Sequence, residues 1–119
     1  MANNLCYFEL MVSDVEKARQ FYGKVFDWKF TASKGFENYY NIDTGKEPQG
    51  GLMKKPDEAP HFNLSPYFLV GSIDETLRKV EAAGGSVAFR RTEIPNIGWW
   101  ALFTDPDGIP VMLYERPEK

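Results

Sequence analysis

Glu9 is the residue of this chain whose type and setting point most directly to chemistry. It lies in the run Leu5-Cys6-Tyr7-Phe8-Glu9-Leu10-Met11-Val12, which predicts a strand. Side chains alternate across a strand, so Phe8, Leu10 and Val12 share one face, suited to lie under a helix. Tyr7, Glu9 and Met11 then point to the opposite, concave face. A carboxylate withdrawn from bulk water in that setting is suited to general-base or proton-relay work, or to gripping a cationic ligand group. The alternative role is structural, with Glu9 paired to an arginine or a backbone donor and only shaping the pocket. Cys6 has the opposite parity to Tyr7 and is expected under the helix beside Phe8, where a buried thiol is inert.

The next candidates are aromatic and thioether side chains. Aromatic residues make up 15% of the chain, enough to fill a core and still line a pocket. Trp99 and Trp100 are adjacent, so on a strand they face opposite ways. If Val111 and Leu113 pack beneath a helix, Met112 and Tyr114 face the pocket, and the partner strand brings Trp100 and Leu102 to that side and Trp99 and Phe103 to the other. Trp100 then offers a stacking surface for a planar or cationic ligand, or is a core or dimer-interface residue, and Trp99 fills either role if the register slips by one residue. Tyr39 and Tyr40 pose the same parity question, and Tyr40 is favoured to face the cavity. The Tyr67 hydroxyl is placed to bond a ligand carbonyl, while Met53 and Met112 supply a soft, adaptable floor, or simply core. His61, the only histidine, falls in the stretch Ala59-Pro60-His61-Phe62 and reads as a solvated loop residue. No serine–histidine–acid set, P-loop or dinucleotide fingerprint is present.

These residues must be positioned by a repeat. Leu10-Met11-Val12-Ser13-Asp14-Val15-Glu16 returns about 58 residues later as Leu69-Val70-Gly71-Ser72-Ile73-Asp74-Glu75. In both copies a strand runs into a capping box, Ser13 with Glu16 and Ser72 with Glu75, and then a helix. The first helix carries an apolar stripe of Val15, Ala18, Phe21, Tyr22, Val25 and Phe26 and ends near Asp27-Trp28. The second carries Ile73, Leu77 and Val80 and ends at Gly84-Gly85. Strands are predicted over 5–12, 28–31, 36–42 and 51–53 in the first half, and over 66–70, 86–90, 99–104 and 110–115 in the second. Thr44-Gly45 and Gly50-Gly51 punctuate a loop, residues 54–64 form a linker, and Asp105-Pro106-Asp107-Gly108 is a turn. Residues 116–119 read as a frayed tail.

The result is one domain over 1–119, of α+β class, built from two βαβββ modules at about 5–53 and 65–115. Each module is a curved, mostly antiparallel sheet with a helix on its convex face, and the two pair into a half-open mixed sheet. Neither half can bury its own apolar face. Net charge is −3 without a large basic cluster, which argues against nucleic acid. No apolar run reaches the length of a membrane span. The residues Met1-Ala2-Asn3-Asn4 lack the features of a signal peptide, and the single cysteine allows no intrachain disulfide. A cytoplasmic location is the expectation.

The chain resembles the vicinal oxygen chelate superfamily, which includes glyoxalases, bleomycin-resistance proteins and dioxygenases. The resemblance rests on the run from Phe8 to Tyr22, on Phe26-Asp27-Trp28, and on Gly50-Gly51-Leu52-Met53, Gly84-Gly85 and Asp105-Pro106-Asp107-Gly108. Metal-dependent members place His, Gln or Glu at four positions, which fall near Tyr7, Met53, Ser65 and Met112 in this chain. None of these suits a hard divalent ion, so no cofactor is expected. A metal site would need Glu9 after a two-residue slip, or acids such as Glu115 or Glu37. The resemblance thus implies a protein that binds a small aromatic or cationic molecule in an aromatic-lined cavity without the usual metal, in the manner of bleomycin-resistance proteins. The alternative it implies is a glyoxalase-like lyase or isomerase, or a dioxygenase-like enzyme, using a divalent metal or Glu9 as general base. Paired sheets also let two chains exchange halves, so a homodimer is expected.

Overall fold

Ten elements follow one another in a computed structural model that describes residues 3–57 and 64–117, and they divide into two βαβββ units. The N-terminal unit spans Tyr7–Ser65, and the C-terminal unit takes the chain from Pro66 onward together with the residues up to Cys6. The N-terminal elements are β1 (Leu5–Val12), α1 (Val15–Phe26), β2 (Lys29–Ala32), β3 (Tyr39–Asp43) and β4 (Gln49–Lys54). The strand order is β2-β3-β4-β1. β1 runs parallel to β4, and the other two ladders are antiparallel. The C-terminal elements are β5 (Leu64–Leu69), α2 (Ile73–Ala82), β6 (Ser86–Ile94), β7 (Gly98–Thr104) and β8 (Pro110–Glu115). Their order is β5-β8-β7-β6, again with one parallel ladder, β5 with β8. The α+β class and the doubled βαβββ order match the expectation.

Local chemistry explains the helix starts. Ser72 Oγ accepts from the Glu75 N–H at 3.2 Å, satisfying one of the donors that a helix start leaves open. In α1 the helix begins one residue later than expected. Asp14, not Ser13, is the cap, and its carboxylate accepts from the Lys17 N–H at 3.1 Å. The α1 exit is made by Asp27 in the left-handed region at φ 57°, its N–H bonded to the Gly23 carbonyl. The turn at Asp105 forms as expected, with Gly108 N–H on the Asp105 carbonyl and the Asp105 carboxylate accepting from the Asp107 and Ile109 N–H groups.

In the C-terminal unit the core lies between α2 and one face of its sheet. Val70, Ile73, Leu77, Ala101 and Leu113 are buried, with Phe68, Val87, Trp99 and Phe103 packed against them. In the N-terminal unit Ile42 and Leu52 are buried, and an aromatic group joins strand to helix: Phe8 on Trp28 at 5.6 Å and Trp28 on Tyr22 at 5.8 Å. The predicted α1 stripe is only partly used. Phe21, Val25 and Phe26 are each more than half exposed, while Tyr22 and one side of Phe26 meet the ring of Trp28 beyond the helix.

Several boundaries move. β4 is longer than predicted: it begins at Gln49 rather than Gly51, and so takes in Gly50 as well. β3 starts at Tyr39 rather than Phe36, and β6 continues to Ile94 through two register shifts. Lys54 closes β4 and Leu64 opens β5. The predicted linker therefore shortens to the residues between them, of which 58–63, including His61, lie outside the described residues. Among the described residues no helix is long and apolar enough to cross a membrane.

Candidate functional site

Strand register brings Glu9, Tyr7 and Tyr39 together on one face of the N-terminal sheet. Glu9 stands opposite Gly51, Met11 opposite Met53, and Tyr39 opposite Met53 from the other side. Opposed residues share a face, so Tyr7, Glu9, Met11, Tyr39 and Met53 lie on the side away from Phe8, Leu52 and α1. The Tyr39 hydroxyl donates to Glu9 Oε2 at 2.8 Å, and the Tyr7 and Tyr39 hydroxyl oxygens are 2.7 Å apart. Burial, followed by the Glu9 charge, pushes the Tyr39 phenol far above its ordinary value. Burial also raises Tyr7, partly offset by its bond to Tyr39 and reinforced by Glu9. Both phenols therefore keep their protons at ordinary pH and act as donors.

Gly50 and Gly51 make this arrangement possible. A Cβ on Gly51 would run into the Tyr39 hydroxyl and come within 2.5 Å of Tyr39 Cζ and the Tyr7 hydroxyl. A Cβ on Gly50 would lie 2.5 Å from Phe8 Cζ on the other face. Two side chains cross the strand there, one on each face, and only backbone fits beneath them. An isolated pair of glycines inside a strand pattern is the signal that could have revealed this.

Tyr39, not Tyr40, occupies the Glu9 face. Tyr40 lies on the helix side, with its hydroxyl 3.3 Å from Glu16 Oε2, its ring edge-on to Phe30, and the Arg19 guanidinium 5.6 Å from its centre. The expectation for Tyr40 fails because neighbouring residues exchange faces with a one-residue change of register.

In the C-terminal unit, Tyr67 stands opposite Met112, Met112 opposite Leu102, and Trp100 opposite Tyr114. These residues share the face away from α2, and Phe89 packs on Trp100 at 5.4 Å. Trp99 turns to the other side, where the Arg91 guanidinium lies 4.0 Å over its ring. The Tyr114 hydroxyl donates to the Ile97 carbonyl at 2.7 Å, which ties it to the backbone. Glu115 holds the start of α2: its Oε1 accepts from the Ile73 N–H at 2.8 Å, and Arg91 grips both its oxygens. Glu37 is exposed in the connection between β2 and β3. Cys6 is half-buried, its Sγ 3.5 Å from the Tyr67 carbonyl.

The four positions that resemble a metal set do not fit a hard divalent ion. They carry a phenol whose burial keeps it protonated, two thioethers, and the buried hydroxyl of Ser65. Such ions take carboxylate or imidazole donors. Among the described residues, no three of His, Cys, Asp and Glu converge.

Comparison with known proteins places this fold. A sequence model of the Glyoxalase/Bleomycin resistance protein/Dioxygenase superfamily matches residues 4–113. A putative glyoxylase, CFP32 of Mycobacterium bovis, is 30% identical over 106 residues, covering 87% of this chain. The chain spans only 41% of that protein's length. A hypothetical protein of Bacillus halodurans superposes with a TM-score of 0.77 at 14% identity, covering 100% of this chain and 98% of that one. The Mn(II)-bound glyoxalase of Novosphingobium aromaticivorans gives 0.68 at 21% identity, covering 95% of this chain and 38% of that one. The chain belongs to the Glyoxalase/Bleomycin resistance protein/Dioxygenase superfamily.

Proposed function

We propose that this chain binds a small, partly aromatic or cationic molecule on the Glu9 face of its N-terminal unit, without a hard divalent ion. One observation carries the reading: the bond from the Tyr39 hydroxyl that fixes Glu9 in place. A carboxylate held by a donor already in position loses little freedom when a ligand docks, and a cationic partner forms a charge-assisted bond to it. Met11 and Met53 give the same face an adaptable apolar surface. The donor chemistry of the four metal-like positions supports binding without a metal. Benzamidinium, a flat aromatic cation, tests the proposal by calorimetry in the presence of a chelator. Wild type is expected to bind it, and Glu9→Gln to weaken it at least tenfold. Equal affinity in the two proteins would remove Glu9 from the site.

A second reading makes Glu9 a general base in an isomerase-like or lyase-like reaction. It is favoured by the same bond, because Tyr39 occupies one carboxylate oxygen and orients the other. Exchange of the enolisable C–H of a small 2-oxo compound into deuterated water, followed by NMR, tests it. The expected result is exchange that survives chelation and disappears in Glu9→Gln.

A further inference from the structure

We propose that the outer stripe of α1 receives an acidic amphipathic helix from another protein. The proposal stands apart from the Glu9 face, which lies on the side of the sheet away from α1. Ala18, Phe21 and Val25 follow one another at spacings of three and four, so they form one stripe along the helix. Phe21 and Val25 are more than half exposed, so this stripe is not spent on the core. Phe21 also helps line a groove of about 350 Å³, together with Val12, Ala18, Tyr22 and Lys17. An apolar side chain carried on a partner helix fills such a hollow, whereas a flat lipid surface does not reach into it.

Charge selects the occupant. Lys17 and Lys24 are seven residues apart, about 10.5 Å along the axis, and flank the stripe on one side. Both are exposed, and neither ammonium has an ion-pair partner among the described residues. The nearby acids are engaged: Asp14 caps α1 by accepting from the Lys17 N–H, and Glu16 holds Arg19. The flanks of the stripe within α1 hold no acid, one carrying the two lysines and the other Val15 and Tyr22. A second copy of α1 laid antiparallel on the first would therefore set lysine against lysine. A helix with apolar residues at spacings of three and four, and acids seven apart beside them, satisfies the stripe and the lysines together. α1 is 12 residues long, about 18 Å, so the contact is small and belongs to the weak, transient class.

Two labelled three-heptad helical peptides test the proposal. Both carry leucine at the a and d positions, and they differ in carrying glutamate or lysine at e and g. Fluorescence anisotropy is followed as the full chain is added at pH 7.5. Wild type is expected to bind the glutamate peptide with a Kd on the order of 10 µM, at least tenfold more tightly than the lysine peptide. The net charge of −3 opposes that preference, so it reports the local lysines, and high salt is expected to shrink it. Phe21→Ser is expected to weaken glutamate-peptide binding at least tenfold, and Lys17→Glu/Lys24→Glu to reverse the preference. These positions are exposed, and near-ultraviolet circular dichroism checks that each variant is folded. Equal binding of the two peptides by wild type, binding of neither, or a preference that survives charge reversal in a folded variant overturns the proposal. Binding of phosphatidylglycerol vesicles instead of the glutamate peptide assigns the stripe to a lipid surface and overturns it. Self-association in sedimentation velocity that Phe21→Ser abolishes assigns the stripe to a second copy and overturns it too.

Discussion

Gly51→Ala is a one-carbon change that tests the arrangement around Glu9. The added Cβ would overlap the Tyr39 hydroxyl and lie 2.5 Å from Tyr39 Cζ, so the ring must swing away. Its departure breaks the bond to Glu9, and hydrogen bonds to charged groups are worth about 1.5–3 kcal/mol. It also breaks the contact with Tyr7, worth about 1 kcal/mol. Water reaching the half-buried Glu9 returns part of this, so the net cost is about 3 kcal/mol. Unfolding entropy of about 2.1 cal/mol/K per residue over 119 residues converts that into a fall in Tm of about 12 °C. Guanidinium unfolding followed by tryptophan fluorescence measures it, with an unchanged m-value showing that the same two states are compared. The decisive control is the same substitution in a Tyr7→Phe/Tyr39→Ala background, where neither hydroxyl that the Cβ meets is present and the cost is expected to fall below about 1 kcal/mol. A Gly51→Ala protein within about 0.5 kcal/mol of wild type, or an equal cost in both backgrounds, would refute the reasoning.

Three further outcomes can be checked on the same instruments. Ser65 is 1% exposed, and its Oγ has no hydrogen-bond partner among the described residues; Ser65→Ala is expected to raise stability by about 1 kcal/mol, since burying an unpaired hydroxyl costs that much or more, and a loss in guanidinium unfolding would mean a bond is being made. Burial pushes the Glu115 carboxyl up, but the Arg91 bond, the Ile73 N–H and the Arg91 charge outweigh it and hold it below its usual range. A lowered carboxylate contributes stability that is full above the ordinary carboxylate range and is lost as pH falls through its folded value. Glu115→Gln is therefore expected to lose about 1–2 kcal/mol at neutral pH and to show a shallower acid decline than wild type in Tm measured from pH 7 to pH 2. Tyr40→Phe removes a long, exposed contact with Glu16 and is expected to leave stability within about 0.5 kcal/mol and benzamidinium affinity unchanged.

The contrast between those two tyrosines shows where sequence reading stops. The face of Glu9 was legible because Phe8, Leu10 and Val12 alternate with it, and an apolar face has one place to go. For Trp99 and Trp100 the alternation of β8, carried across an antiparallel ladder, favoured Trp100, but a one-residue slip would have exchanged the two until the register decided. Tyr39 and Tyr40 had no such guide. They open β3 directly after an exposed connection, and both are amphipathic. Only the pairing of Tyr39 with Met53 decides between them, and that pairing depends on where β4 begins. The two glycines hid that start, because glycine marks both a turn and a strand crossed closely by side chains. A strand over 51–53 already held Met53, but nothing in the sequence set the register in which Tyr39 or Tyr40 would meet it.

The same dependence explains why Glu9 alone was a weak clue and the three-residue array is a strong one. A single carboxylate on a strand face fits a structural pair, a ligand contact or a base. Adding Tyr39 removes some of that freedom, because a phenol that keeps its proton beside a carboxylate fixes the direction of the bond between them. Adding Tyr7 removes more, because its proton then has one acceptor in the chain. Each step follows from the count of donors rather than from the strength of any bond, so it holds even if every distance relaxes by a few tenths of an ångström. What the count fixes is the direction of both bonds, from Tyr7 through Tyr39 to Glu9.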